Sequence, residues 1–250
     1  MSAASLASQA IVAAKPLRRR IYLMRHGAVT YFTPEGQPLP PDEVPLNAAG
    51  ITQADAAGKL FAQHGVRFDR VLVSGLPRTV ETAQRLLAQL DSAQHDSAQP
   101  IEHRAALQEI RAGRLRDIAP QELRESFLNV LYGTASLDTK FMGGESVGEL
   151  LGRVLPEIDS LREDTSWSTL LLVLHGGVNR AILSYLLSGQ RTMMGGFEQS
   201  PACINVIDIG TERRDVILRA TNLSPTNWLQ HDTRSSTMEV LFGQYAAQRA

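Results

Sequence analysis

Apolar and polar residues follow two periods along this chain. Strand-length segments rich in apolar residues occur at 21–24, 70–74, 169–174, 203–209 and 216–221, with a weaker candidate at 101–104. Between them apolar residues recur at helical spacing. Asn47 is placed to cap a helix over 48–63, with Ala54, Ala57, Leu60 and Phe61 on one face and Gly65 closing it. Pro77 opens a second helix running to about residue 90. Further helices are expected over 120–131, from 146 to about 162 after the Gly143-Gly144 break, from 178 to about 187, and over 238–247.

Strands alternating with helices predict an α/β protein: a three-layer α/β/α sandwich around a mainly parallel sheet. The last two strands are close in sequence and are expected to pair antiparallel at one edge. A proline-rich stretch over 33–45 reads as a loop, and the tandem Asp-Ser-Ala-Gln at 91–94 and 96–99 as a surface loop. The expected organisation is a disordered leader over 1–20, one domain over 21–223, and an extension over 224–250 that packs on the domain or forms an oligomer contact.

The composition narrows the class. With 250 residues, 43% of them hydrophobic, the chain can build one substantial core. A net charge of -1 gives no global basic surface, so nucleic acid is not expected as a partner. A single cysteine, Cys203, excludes an internal disulfide and fits a reducing compartment. The clean apolar run at 170–174 is far too short to span a bilayer, so no membrane partner is expected. In the leader the basic residues follow the apolar ones, the wrong order for a secretory signal, and a cytoplasmic protein is expected.

Two of the strands end alike: Leu23-Met24-Arg25-His26-Gly27 and Val173-Leu174-His175-Gly176-Gly177. The carboxyl ends of strands in open α/β sheets are where ligands bind. A cation, an imidazole and glycines at that edge suggest an anion site. Arg78, one residue after Pro77, falls in the first turn of a helix, where a cation opposes the helix dipole. An anion held between Arg78 and the helix end would resolve that conflict; pairing with Glu81 is the plainer alternative.

The set Arg25-His26-Gly27, Ser74 to Ala83 with Arg78, Leu107-Gln108-Glu109, Gly143-Gly144-Glu145-Ser146 and His175-Gly176-Gly177-Val178 with Arg180 resembles the histidine phosphatase superfamily, the phosphoglycerate-mutase-like fold, and its bacterial phosphatase-type members. The resemblance runs from residue 21 to about residue 222. It implies a nucleophilic His26 that becomes phosphohistidine and a general acid in Glu109. It also implies a phosphate pocket of Arg25, Arg78, His175 and the Gly176 amide. The partner implied is a small phosphorylated molecule, with neither cofactor nor metal. A homodimer is left open.

The chain departs from the family pattern after His26. Many members carry an Asn six residues on; here that residue is Phe32. Thr30 could reach the phosphate instead, or simply cap the loop. Phe32 could line the site or pack in the core. Glu109-Ile110-Arg111-Ala112-Gly113 stands where a mutase of this type carries Glu-Arg-His-Tyr-Gly and a longer basic insertion, which favours a phosphatase over a phosphomutase or a weakly active phospho-ligand binder. Arg111, Arg114 and Arg116 could hold a second anionic group or form solvated ion pairs.

Overall fold

The computed structural model describes residues 18–91, 93–95 and 99–247. Most of the predicted leader, and part of the tandem repeat, lie outside the described residues. In chain order the elements are β1 (Arg19–Arg25), α1 (Ala48–Gln63), β2 (Arg70–Val73), α2 (Pro77–Leu87), β3 (Glu102–His103), α3 (Leu123–Leu128) and β4 (Thr134–Ala135). There follow α4 (Val147–Glu163), β5 (Thr169–Leu174), α5 (Gly176–Ser188), β6 (Met193–Met194), β7 (Ile204–Ile209), β8 (Val216–Leu223) and α6 (Thr237–Ala247).

The main sheet has the order β3-β2-β5-β1-β7-β8. β3, β2, β5 and β1 are parallel; β7 runs antiparallel to β1, and β8 to β7. β7 is therefore an interior strand, where the sequence had placed antiparallel pairing only between the last two strands. Alternation along each strand feeds two apolar layers. Leu170, Leu172 and Leu174 face one cluster with residues of α4 and α5, while Leu171 and Val173 face another with α1 and α2. A strand buried on both faces must read as a continuous apolar run, and β5 does.

Three boundaries differ from expectation. β1 begins at Arg19, so residues 18–20 belong to the sheet region rather than to a leader. Their charges are accommodated at the strand's start: Arg18 pairs with Asp215 at 2.7 Å, the Arg19 guanidinium lies 4.4 Å from the centre of the Trp167 ring, and Arg20 pairs with Asp208 at 2.7 Å. Residues 120–131 divide into a 3-10 turn, α3 and a second 3-10 turn. α5 begins at Gly176, directly after β5, so the glycines form the first helical turn instead of a loop.

This topology assembles the site. β5 lies between β2 and β1, with Arg25 opposite Leu174 and Val73 opposite Val173. The residues just beyond these strand ends, His26, Ser74 and His175, therefore share one carboxyl edge. The His26 amide donates to the Leu174 carbonyl at 3.0 Å, which fixes the two histidines side by side.

Candidate active site

The rings of His26 and His175 lie 5.2 Å apart at an interplanar angle of 63°. Both are essentially buried, as are Arg25 and Arg78. The loop after β1 passes tightly over α1: a Cβ on Gly27 would sit 2.6 Å from the Gly50 carbonyl oxygen, so a side chain there would push the loop away. The Gly27 amide donates to Thr82 Oγ1 on α2 at 3.1 Å, and the Gly27 carbonyl accepts from His26 Nδ1 at 2.7 Å. A carbonyl can only accept, so Nδ1 carries the proton and Nε2 is the bare nitrogen of the neutral ring. Burial, and then the charges of Arg25 and Arg78, hold the His26 pKa well below its ordinary value and keep that nitrogen unprotonated.

His175 ends β5. Its Nε2 lies 2.8 Å from Ser74 Oγ. Thr79 Oγ1 donates to the Leu76 carbonyl, which leaves the Ser74 hydrogen for Thr79 Oγ1 and makes Ser74 the acceptor from Nε2–H. His175 Nδ1 then faces away from that chain, buried and without a partner. Burial, Arg78, His26 and Arg25, in that order, depress the His175 pKa as well.

The two arginines are each tied at one nitrogen. Arg25 Nη1 donates to the Gln199 carbonyl at 2.6 Å and to Thr237 Oγ1 at 3.1 Å; Arg78 Nη1 donates to the Pro41 carbonyl, in the proline-rich loop, at 2.6 Å. The Nε of each is buried and unpartnered. Together with His175 Nδ1 these are three orphaned nitrogens around one imidazole. The two arginine Nε–H groups are buried donors left unpaired, at about 1–3 kcal/mol each, so the arrangement suits an anion that satisfies them. Gly176 adds a first-turn amide with no intrahelical acceptor, at the positive end of α5.

Glu109 stands at the rim, half-buried. Its Oε1 and Oε2 accept from the Gly177 amide at 3.1 and 3.2 Å, and Oε1 also accepts from the Ile110 amide at 2.9 Å. The sequence missed what holds this segment in place. Arg153, on α4, donates to the carbonyls of Ala106 and Gln108 at 2.7 Å each and of Glu109 at 3.0 Å, while Glu145 neutralises it at 2.7 Å. Arg180 was visible four residues after Gly176, on the same helix face. It is buried and paired with Glu198 at 2.7 Å.

Thr30 does not join the buried group. It is exposed, and its hydroxyl accepts from Asn47 Nδ2 at 3.2 Å, so it ties the loop to the start of α1. Phe32 packs on the core, its ring 6.2 Å from that of Tyr245. Arg116 forms an exposed contact with Asp117 at 3.8 Å, the solvated kind of pair worth little. Cys203 is a buried thiol with its pKa pushed up to about 12, mainly by burial, and is no nucleophile.

A cavity of about 40 Å³ opens between Arg25, Glu109, Gly176 and Arg180. A larger groove, about 510 Å³, lies at the opposite edge of the sheet, but its Arg20 and Arg219 are paired with Asp208 and it holds none of the groups above. A bare imidazole nitrogen close enough to Arg25 and Arg78 to feel both charges is equipped to accept and release a phosphoryl group. The sequence model of the histidine phosphatase superfamily (branch 1) matches residues 21–222. The chain belongs to this superfamily.

Relatives fall on both sides of the family's chemistry. A 2,3-bisphosphoglycerate-dependent phosphoglycerate mutase of Rhizobium etli is 30% identical over 166 residues, 65% of this chain and 77% of the mutase. The rat 6-phosphofructo-2-kinase/fructose-2,6-bisphosphatase 3 is 28% identical over 172 residues, and this chain spans only 28% of its length. Among solved structures, a putative alpha-ribazole-5'-P phosphatase of Escherichia coli superposes with a TM-score of 0.60 at 25% identity, over 82% of this chain and 96% of the phosphatase. The protein is thus a histidine-phosphatase-type enzyme whose fold and phosphohistidine chemistry are those of the family.

Proposed function

We propose that this enzyme is a phosphomonoesterase in which His26 is the nucleophile and Glu109 the proton donor. The observation that carries the reading is the fixed His26 tautomer, with Nδ1–H bound to its own loop at Gly27 and Nε2 left bare amid three unpartnered buried nitrogens. In the first step Nε2 attacks phosphorus in line; the P–N bond forms as the ester P–O bond breaks, and Glu109 gives its proton to the departing alkoxide. In the second step a water oxygen attacks phosphorus, the P–N bond breaks, and the water's proton passes to the Glu109 carboxylate. Arg25, Arg78 and the Gly176 amide offset charge on the equatorial oxygens. A dianion brings negative charge next to His175 and raises its proton affinity, so His175 binds phosphate as an imidazolium, donating from Nδ1 to the phosphate and from Nε2 to Ser74.

Hydrolysis is favoured over mutase activity by the side of the cavity where the leaving group must lie. It is walled by Ile110, Leu131, Phe141, Met193 and Met238. The further cation there, Arg180, is already neutralised by Glu198. A phosphoglycerate carries a carboxylate as well as its phosphate and would need a free cation to meet it. The leaving-group side suits a phosphomonoester of a small, weakly polar alcohol or phenol. The test is phosphate release from aryl phosphates in the presence of EDTA, set against interconversion of phosphoglycerates. Hydrolysis that persists in EDTA and is lost in His26→Ala supports the reading; phosphoglycerate interconversion much faster than any hydrolysis overturns it.

A further inference from the structure

The match to the superfamily ends at residue 222, yet the segment beyond it reaches the centre of the site. Thr237 is the first residue of α6. Its Oγ1 accepts from Arg25 Nη1 at 3.1 Å and donates to Glu198 Oε1 at 2.8 Å, and its amide donates to the same carboxylate oxygen at 3.1 Å. Glu198 in turn binds Arg180 through Oε2. The chain Arg25–Thr237–Glu198–Arg180 has a direction: a hydroxyl that gives its hydrogen to a carboxylate turns its lone pairs toward the guanidinium and becomes a stronger acceptor. Met238, the next residue, lines the same cavity as Glu109 and Gly177.

The helix that delivers Thr237 is held at both ends. At its start the Ser236 amide donates to Glu239 Oε2 at 2.7 Å and the Glu239 amide to Ser236 Oγ at 3.2 Å, a reciprocal cap that fixes where the helix begins. Further along, the Phe242 and Tyr245 rings lie 5.5 and 5.7 Å from that of Phe127, and Tyr245 also meets Phe32. Phe32, the residue that departs from the family pattern after the nucleophile, is thus part of the surface on which α6 is seated.

We propose that Thr237 is a positioning residue for Arg25. With Nη1 tied to Thr237 and to the Gln199 carbonyl, the guanidinium cannot rotate, and its free Nε edge stays turned toward the phosphate. The proposal rests on the phosphate-site reading above, but its test does not depend on turnover: the readout is the Kd for inorganic phosphate, measured by calorimetry on the full chain. Thr237→Val keeps the shape and removes the hydroxyl. It should weaken phosphate binding about tenfold, the loss of a hydrogen bond to a charged group, and Thr237→Ser should restore it. In an Arg25→Ala background, which keeps Arg78 as a phosphate ligand, the valine substitution should change Kd less than about twofold. An equal loss with and without Arg25, or no loss in the native background, overturns the proposal. Failure of the phosphatase reading would appear separately, as phosphate binding without hydrolysis.

Discussion

The Gly177 amide is bonded to both carboxylate oxygens of Glu109, at 3.1 and 3.2 Å, across the mouth of the site. A larger residue at this contact would have to displace Glu109. A Cβ at position 177 would lie 2.6 Å from Glu109 Oε1, while its other near neighbour, Ile110 Cγ2, is 3.1 Å away. The carboxylate is the end of a flexible side chain and can yield, so Gly177→Ala should fold and displace Glu109. If Glu109 is the proton donor, the loss should depend on the leaving group. Glu109→Gln should lower kcat by about 10²- to 10⁴-fold for an alkyl phosphate and much less for p-nitrophenyl phosphate, whose phenolate leaves without help. Gly177→Ala should show the same pattern, weaker. Steady-state kinetics on the two substrates check it.

Arg153 holds the backbone that carries Glu109. Three carbonyl contacts and the Glu145 pair all come from one planar guanidinium. A lysine ammonium cannot match that fork. Arg153→Lys should cost about 2 kcal/mol of folding stability, as broken bonds to a charged group do, and lower kcat about tenfold through Glu109. Urea denaturation and kinetics on one preparation measure both. A stability loss with unchanged kcat would mean that Arg153 supports the fold alone.

The buried histidines predict an acid-side instability. The pKa values of His26 and His175 are both lowered in the folded protein, chiefly by burial. The unfolded chain, with histidines near 6.5, then binds more protons than the native state at any pH below that value. Stability should be complete above about pH 6.5 and fall as the pH drops, by up to about 1.4 kcal/mol per pH unit for each imidazole. Inorganic phosphate should oppose the loss, because an anion beside Arg25 and Arg78 raises both proton affinities. Thermal melts at pH 7 and pH 5.5, with and without phosphate, give the sign. Phosphate binding should also take up protons, which calorimetry in buffers of different ionisation enthalpy detects.

Much of this could be read from the chain because β1 and β5 are buried on both faces and so appear as unbroken apolar runs, each ending in a His-Gly. Pro77 at the start of α2 gave the place of Arg78 in the same way. Thr30 is a candidate ligand in the sequence only as a substitute for the family Asn missing at Phe32, and in the fold its hydroxyl meets Asn47. What the sequence hid depends on contacts without a local signature. Arg153 binds backbone carbonyls, which every residue has. Thr237 enters from a tail with no motif, and the packing of Phe32 on Tyr245 joins positions 213 residues apart (245 − 32).

The most direct test is to trap the phosphoenzyme. In a rapid-quench experiment with a labelled aryl phosphate and EDTA, the native enzyme should carry acid-labile, base-stable phosphate on His26, formed and lost at rates that account for kcat. His26→Ala should carry none and turn nothing over. Phosphate trapped on another residue, turnover that never passes through a phosphoenzyme, or activity that survives His26→Ala would contradict the account.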